Sequence, residues 1–242
     1  MRSTNKNAFL EGLRDGMPIG LGYLSVSFSF GIMAVSKGLS VLAALLISMT
    51  NLTSAGQVAG LAIITAGGTL TELALAQCII NLRYALMSLS LSQKLATGFS
   101  APHRFLTAFG ITDEIFAVAS GRKHAVTPAY LYGLIAIPFV SWSLGTFLGG
   151  LAGELLPLRV KAALGIAIYG MFIAIFVPPA RKSAGVLTVV LTAVALSCCI
   201  YYIPALQGIS SGFSIILCTI AAAVAGAIFF PVPVTEVEEE TS

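Results

Sequence analysis

Charged residues are scarce in this chain. They make up 10% of its 242 residues, against roughly 25% in a typical soluble domain, whereas 57% of the residues are hydrophobic. No polar stretch is long enough to form a domain outside a membrane. The formal net charge of +3 is scattered, which gives no reason to expect nucleic-acid binding. The composition therefore indicates an integral membrane protein in contact with the lipid bilayer.

Residues that support metal or catalytic chemistry are also few. The four cysteines lie in apolar runs without metal-ligand spacing, so they are interpreted as small buried hydrophobic residues. The two histidines, His103 and His124, fall in polar loops, and neither an H-E-x-x-H motif nor a convincing Ser-His pair is evident. We therefore expect no enzyme activity, no metal site and no cofactor.

Long uncharged runs predict an all-α, polytopic membrane helix bundle. Lipid requires internally satisfied backbone, and no alternating strand pattern is present. About 20 residues cross a bilayer as a helix. Six full spans are expected at about residues 17–36, 72–92, 128–153, 162–179, 184–203 and 212–230. We expect them to form a single transmembrane domain, residues 17–230, between a cytoplasmic segment, residues 1–16, and an acidic, disordered tail, residues 231–242.

Two further apolar segments are interrupted by polar residues. Residues 41–66 contain N-L-T-S-A-G-Q at 51–57, where Thr53 or Ser54 is suited to cap a new half-helix. Residues 105–120 contain G-I-T-D-E at 110–114, where Thr112 or Asp113 is suited to start a short helix. Each segment is either an ordinary continuous or interfacial helix, or a broken or re-entrant one of the kind found in transporters.

Basic residues predict the orientation. The positive-inside rule assigns three clusters, and with them both termini, to the cytoplasm. The clusters are Arg2, Lys6 and Arg14, then Arg122 and Lys123, then Arg181 and Lys182. If both interrupted segments cross the membrane, there are eight crossing segments and the loop at 94–104 lies outside. If both re-enter, there are six full spans and that loop lies inside, which the charges slightly favour.

Arg83 lies in the middle of the predicted span at residues 72–92, with ten uncharged residues on either side. An arginine at such depth costs at least about 2.5 kcal/mol. We therefore expect it to line a hydrated cavity or to pair with a buried acid, the alternative being that it reaches a headgroup or braces a neighbouring helix. Asp113 and Glu114 are the candidate acids, and the sequence does not choose between them.

The same span carries a neutral polar stripe. Its members fall within about 60° of one another at 100° per residue: Gln77, Asn81, Tyr84 and Ser88. Arg83 points about 120° away from this stripe. One helix is thus predicted to present two separate polar faces.

Four motifs together resemble one family of transporters. They are G-L-R-D-G-x-P-I at 12–19, I-N-L-R-Y at 80–84, S-L-S-L at 88–91 and F-G-I-T-D-E-I-F-A at 109–117. In combination and order they are similar to the AzlC family of branched-chain amino acid permeases, also called LIV-E exporters. The motifs cover about residues 10–125, and the remainder agrees in length and hydropathy.

The resemblance implies an inner-membrane exporter of leucine, isoleucine, valine and related residues such as methionine, working with a small AzlD-type membrane subunit. Two departures stand out. Where the family tends to read A-G-S-A-Q-F, this chain has T-S-A-G-Q-V at 53–58, and Tyr84 stands where histidine is common. If these positions contact substrate, they allow a specificity other than branched-chain export.

An amino-acid carrier needs donors for a carboxylate, acceptors for an ammonium group and an apolar pocket. We expect the amides of the break at 51–57 to bind the carboxylate, and neutral acceptors on the third span to bind the ammonium group. The substrate-binding candidates are Asn51, Thr53, Ser54, Gln57, Gln77, Asn81 and Tyr84. The gating or coupling candidates are Arg83, Asp113 and Glu114, with Asp113 as a candidate proton site.

Other functions remain as alternatives. The alternatives to an amino-acid exporter are a transporter of a different small polar solute, a channel, and a structural membrane subunit. A channel needs a ring of charged or carbonyl-lined residues, and a purely structural subunit has no reason to keep Arg83 at depth. Whether the chain forms a homo-oligomer is left open by the sequence.

Overall fold

The predicted all-helical fold is confirmed in a computed structural model. It describes residues 5–231, except for the side chains of residues 154, 158, 161–168, 171, 174 and 175. The described part of the chain contains the helices α1 (Asn5–Ser36), α2 (Val41–Thr50), α3 (Ser54–Thr65), α4 (Leu70–Ser92), α5 (Ala101–Phe109), α6 (Asp113–Gly121), α7 (Pro128–Leu155), α8 (Leu158–Lys182), α9 (Ala184–Tyr202) and α10 (Ser211–Phe229), with a single 3₁₀ turn at Pro204–Leu206. Apart from its first position, the predicted acidic tail lies outside the described residues.

Five of these helices are long and apolar enough to cross a membrane: α1, α4, α7, α9 and α10. They coincide with five of the predicted spans, and α8 covers the remaining one at residues 162–179. α1 begins at Asn5, well before the predicted start at residue 17. It does so because Gly12 and Gly16 continue the helix and pack against α7.

The chain divides into two compact units at Met171 and Phe172. In the second unit, α9 and α10 pack antiparallel, with Gly185 against Phe230 and Gly226 against Val189. The first unit contains α1 to α7 and all the candidate site residues named above.

α1 and α7 run parallel through the middle of the first unit. Gly12 lies against Tyr130, and further along both helices Gly31 lies against Thr146. A Cβ atom added to Gly12 would lie 2.1 Å from the Tyr130 carbonyl oxygen, and one added to Gly31 would lie 2.2 Å from the Thr146 carbonyl oxygen. Small residues that let two backbones touch are a principal means of holding helices together in lipid.

α5 lies along α7 and points in the same direction. His103 Nδ1 is 2.9 Å from the hydroxyl of Tyr132, and further on the ring of Phe109 contacts that of Phe139. The prediction that His103 lies in a polar loop is wrong, because α5 already begins at Ala101.

α6 returns the chain to the end of the unit at which α5 began. Leu95 and Val126 flank the α5–α6 pair and form an isolated parallel β-bridge. At the same end, Arg122 donates to Glu11 near the start of α1, with the two atoms 2.6 Å apart. α5 and α6 therefore form a hairpin, called here the second hairpin, whose tip at residues 110–112 lies inside the unit.

α2 enters from the opposite end of the unit. Val41 lies against Gly150 in the last turns of α7. Ser48 then bonds to Thr146, one turn earlier on α7, with the two hydroxyl oxygens 2.7 Å apart. α2 therefore runs inward, antiparallel to α7.

α3 turns back along α4. Gly56 lies against Gln77, whereas Gly68, just beyond α3, lies against Glu72. The other end of α4 is fixed beside α6, because Lys94 donates to the carbonyl of Ser120. α2 and α3 therefore form the first hairpin, with its tip at residues 51–53. Both interrupted segments are broken helices, and the two hairpins enter from opposite ends.

The interpretation of the cysteines as buried residues is wrong for three of them. Cys78, Cys198 and Cys199 are exposed, and Cys218 is half-buried. An apolar run does not distinguish a helix face that packs inside the protein from one that faces lipid, since both surroundings are apolar.

Candidate functional site at the hairpin tips

The first tip is neutral. Thr53 has an extended backbone, and its hydroxyl accepts a hydrogen bond from the Gly56 amide at 3.4 Å, so it caps α3 as predicted. The amides of Ser54 and Ala55 have no acceptor within the helix. The first turn of α3 contains no acidic residue. Its positive dipole end therefore faces the centre of the unit without a compensating carboxylate.

Gln57 braces this tip from inside. Its side chain is 1% exposed, and its Nε2 donates to Ser48 Oγ at 3.1 Å and to the Asn51 carbonyl oxygen at 2.5 Å. Within the described residues, its Oε1 atom is buried and has no hydrogen-bond partner. A buried acceptor without a donor costs about 1–3 kcal/mol. The described protein groups therefore leave one buried hydrogen-bond acceptor at this tip without a donor.

Gln77 holds the first tip from α4. Its Nε2 donates to the Gly56 carbonyl at 2.8 Å, and its Oε1 accepts from Asn51 Nδ2 at 3.3 Å and from Asn81 Nδ2 at 3.1 Å. The amide of Gln77 is thus occupied by protein groups. Asn81 Oδ1, in contrast, is buried and unpartnered among the described residues.

The second tip is charged. Thr112 caps α6, and the next two residues are both acids that contact other helices. Asp113 Oδ2 lies 2.9 Å from Arg83 Nη1, and these two side chains are 40% and 43% exposed. Glu114 Oε2 accepts from the Tyr23 hydroxyl at 2.5 Å. The same hydroxyl lies 2.7 Å from Thr112 Oγ1.

Arg83 also reaches the neutral stripe on α4. Its Nη2 donates to the Tyr84 hydroxyl at 2.8 Å, and its Cζ lies 4.7 Å from the centre of the Tyr84 ring. The predicted separation of α4 into two polar faces is therefore wrong for the side chains. A helical wheel gives the directions of Cα–Cβ bonds, whereas a long arginine side chain extends across them.

Tyr23 and Trp142 also lie at the site, although neither is among the residues predicted to form it. Their rings meet edge to face with centroids 5.0 Å apart, and Leu52 of the first tip completes the cluster. Trp142 is 2% exposed, and within the described residues its Nε1 has no partner. No local motif identifies these residues, because they meet the tips only through the parallel packing of α1 and α7.

The predicted site residues all lie at or beside the two tips. Asn51, Thr53, Ser54 and Gln57 belong to the first hairpin, Gln77, Asn81, Arg83 and Tyr84 to α4, and Asp113 and Glu114 to the second hairpin. The arrangement offers backbone donors, neutral and acidic acceptors, and an apolar wall. Among the described residues, no group of three or more His, Cys, Asp or Glu side chains is placed to hold a metal ion.

Two broken helices inside an apolar helix bundle are typical of membrane transporters. A family model described as AzlC protein matches residues 18–156, more than half of the chain. The chain therefore belongs to the AzlC family, as its motifs predicted.

Individual relatives are also membrane proteins. The chain is 35% identical over 181 residues to an uncharacterized membrane protein of Archaeoglobus fulgidus, covering 74% of this chain and 79% of the relative. It is 29% identical over 215 residues to the inner membrane protein YgaZ of Escherichia coli, covering 84% of this chain and 87% of the relative. An uncharacterized membrane protein of Helicobacter pylori is 25% identical over 154 residues, covering 60% and 66%. No solved structure matches the chain.

Proposed function

We propose that this chain is a secondary transporter in the inner membrane that exports branched-chain and related aliphatic amino acids, namely leucine, isoleucine, valine and methionine. A small AzlD-type membrane subunit assists it, and a proton gradient drives it. Family membership supports this proposal. The observation that carries it is that a neutral helix N-terminus at Thr53 and an acid-bearing one at Asp113 and Glu114 are both held by α4 and by the cluster around Tyr23.

The substrate carboxylate binds at the first tip. Helix N-termini are ready anion sites, because free amides and the helix dipole act together. The amides of Ser54 and Ala55 are the donors there. Since the first turn of α3 carries no acid, an anion meets no repulsion from its own helix.

The substrate ammonium group binds between α4 and the second tip. Asn81 Oδ1 is a buried acceptor that receives no hydrogen bond from the described residues. The carboxylates of Asp113 and Glu114 give the same region a negative charge. Gln77 has a bracing role instead, because its amide is already bonded to Gly56, Asn51 and Asn81.

The aliphatic side chain packs against the wall formed by Leu52, Tyr23 and Trp142. Both hairpins are re-entrant in this proposal, and their tips lie near the middle of the bilayer. The pair of Arg83 and Asp113 joins the second hairpin to α4. Its rupture frees that hairpin to open a path to one side of the membrane.

The test is transport in proteoliposomes that contain the chain with or without its small partner subunit. Exchange and gradient-driven accumulation are measured for labelled leucine, isoleucine, valine and methionine, with glutamate and lysine as charged comparisons. We expect the aliphatic amino acids to exchange and the charged ones to be excluded. If no aliphatic amino acid exchanges in either preparation, the proposed function is wrong.

Arg83→Leu separates a transporter from a structural subunit. In a subunit that only scaffolds its partner, this change leaves transport by the assembled complex intact. In the proposed transporter, it strands Asp113 and abolishes most of the exchange. Leu82→Ala, at an exposed neighbouring position on α4, is the control that should leave exchange unaffected.

A further inference from the structure

Asp113 and Glu114 are consecutive residues, yet they contact different helices. Asp113 pairs with Arg83 on α4 at 2.9 Å, whereas Glu114 accepts from Tyr23 on α1 at 2.5 Å. Neighbouring residues of a helix point about 100° apart. The first turn of α6 thus presents the Asp113 carboxyl to a cation and the Glu114 carboxyl to a neutral hydroxyl. Protonation therefore affects the contacts of the two carboxyls differently.

A proton on Asp113 would leave Arg83 without its counter-charge. The guanidinium group does not lose its proton in proteins, and an unpaired charge within a membrane bundle is strongly unfavourable. Asp113 is therefore better suited to remain ionised as the counter-charge of Arg83, whether or not the two side chains are in contact, than to be the proton site that the sequence suggested.

A proton on Glu114 strands no cation. A tyrosine hydroxyl can donate to a carboxylate or accept from a carboxylic acid, so the contact with Tyr23 persists in both protonation states. Glu114 is also exposed, whereas Thr112 is buried. Water that enters between the tips can therefore deliver a proton to Glu114.

We propose that Glu114 is the proton-binding carboxyl of this protein, that Tyr23 positions it, and that Asp113 is the fixed partner of Arg83. This inference rests on the proposed function, in which proton movement drives export. The step is a simple acid–base reaction: the Glu114 carboxylate takes one proton from water on one side of the membrane and releases it to water on the other.

Thr112 transmits the protonation state to the start of α6. The Tyr23 hydroxyl lies within donating distance of both Glu114 Oε2 and Thr112 Oγ1, and it has one proton to give. It donates to Glu114 when that carboxyl is ionised, and to Thr112 when Glu114 is protonated and itself donates to Tyr23. Proton binding thus redirects the Tyr23 hydrogen bond to the cap of α6 and removes a negative charge from its dipole end. Both changes alter how firmly the second tip is held.

The other hairpin is also within reach of this change. The ring of Tyr23 packs against Trp142, and both belong to one buried cluster with Leu52 of the first tip. A rearrangement of the Tyr23 hydroxyl therefore acts on the apolar wall that the proposed substrate contacts. Proton binding and substrate binding are coupled through one side chain.

Several titratable groups on α6 and on the helices packed against it bear on this assignment. They include Tyr23 on α1, Arg83 and Tyr84 on α4, Asp113 on α6 itself and Tyr130 on α7. Arg83 is the cation among them, and it is paired with Asp113. The hydroxyl of Tyr130 donates to Asp15. The charged groups at the opposite end of α6 are Lys94, Arg122 and Glu11.

Tryptophan fluorescence tests the inference without transport. The chain has one tryptophan, and Trp142 lies edge-on to Tyr23. In detergent, the wild-type protein is expected to show a reversible fluorescence transition with pH. Glu114→Gln should abolish this transition, whereas Asp113→Asn and the matched control Glu11→Gln should retain it. Its absence in the wild-type protein, or its persistence in Glu114→Gln, would overturn the inference.

Tyr23→Phe provides a second variant that keeps both the acid and the ring packing. Without the hydroxyl donor, the ionised form of Glu114 loses a hydrogen bond. The midpoint of the transition should therefore move. An unmoved midpoint would show that Tyr23 does not position Glu114. A purely structural role would change stability and leave this midpoint alone.

Proteoliposomes test the coupling itself. Exchange at equal pH on both sides is compared with accumulation driven by a pH gradient, and a trapped pH-sensitive dye reports proton flux. For Glu114→Gln, accumulation and proton flux should fall at least about tenfold more than exchange, a difference of roughly 1.4 kcal/mol. A wild-type ratio of proton flux to exchange in this variant would overturn the inference. If the wild-type protein exchanges no aliphatic amino acid, the proposed function fails, and the fluorescence titration alone decides whether Glu114 binds a proton.

Discussion

The two hairpin tips have the same local construction and opposite electrostatics. Each breaks a helix immediately before a threonine, Thr53 or Thr112, and in each the threonine hydroxyl accepts a hydrogen bond from an amide of the new helix. Leu52 and Ile111 occupy equivalent positions before the caps. The first tip is then braced by neutral amides, whereas the second carries two carboxylates.

Helix N-termini can therefore serve two purposes in this protein, depending on whether the first turn carries acidic residues. An uncompensated helix N-terminus is free to bind an external anion. One that already carries acids has its dipole balanced, and its charges can interact with a cation or a proton instead. A substrate carboxylate is therefore expected at the first tip, and the conformational coupling at the second.

The largest effect is expected when the second tip loses its fixed charge. Asp113→Asn leaves Arg83 unpaired, which should lower exchange at least about tenfold, or 1.4 kcal/mol. Replacing both partners, Arg83→Leu with Asp113→Leu, should restore protein stability relative to the single variant, because no charge is stranded. Exchange by proteoliposomes and thermal unfolding in detergent measure the two effects. Equal stability of the single and double variants would contradict this interpretation of the pair.

The next largest effect is expected when the first tip is made to resemble the second. Ser54→Asp introduces a carboxylate into the first turn of α3, where it stabilises the helix by about 0.3–1 kcal/mol but repels a substrate carboxylate. The KM for leucine should rise about tenfold or more while thermal stability is maintained. Ser54→Asn is the uncharged control of the same size. If the acid leaves the KM unchanged, the carboxylate does not bind at this tip.

A smaller effect is expected from removing the caps. Thr53→Ala and Thr112→Ala should each lower the free energy of unfolding by about 1 kcal/mol. Thr112→Ala should cost more, because Thr112 also bonds to Tyr23. Threonine-to-serine changes at both positions keep the hydroxyl and should recover most of the loss. Unfolding in a denaturant series compares the four variants, and a greater loss at Thr53 would reverse the expected order.

The smallest effect is expected at the brace of the first tip. Gln57→Met removes two hydrogen bonds, each worth about 0.5–1.5 kcal/mol, but it also removes a buried acceptor whose lack of a donor costs about 1–3 kcal/mol. The two contributions offset, so the unfolding midpoint should change little. Gln77→Met is the comparison, because both ends of the Gln77 amide are bonded. It should lower stability more than Gln57→Met.

The sequence indicates where the two segments can break, although it does not choose between broken and continuous helices, because the signals for a break are local. Polar residues cluster at 51–57 and 110–114, and a threonine cap followed by helix-forming residues is recognisable without tertiary information. A charged partner for Arg83 is one of the two favoured interpretations of the sequence, the other being a hydrated cavity, since an isolated arginine at that depth is unfavourable.

The remaining features of the site depend on packing between segments that are distant in the sequence, so local patterns do not predict them. The choice between Asp113 and Glu114 requires the position of α6 between α1 and α4. The contribution of Tyr23 and Trp142 requires the parallel packing of α1 and α7. The contact between Arg83 and Tyr84 depends on the path of a flexible side chain, which a helical wheel does not describe.

The glycine-lined contact between α1 and α7 has a consequence for how the protein is made. α1 is synthesised before α7, and both hairpins and α4 lie between them in the chain. Until α7 has been made, the face of α1 around Gly12 and Gly31 lacks the helix against which it packs. The hairpin tips likewise lack one of the two helices that flank them. Assembly of the first unit therefore depends on a late contact between α1 and α7.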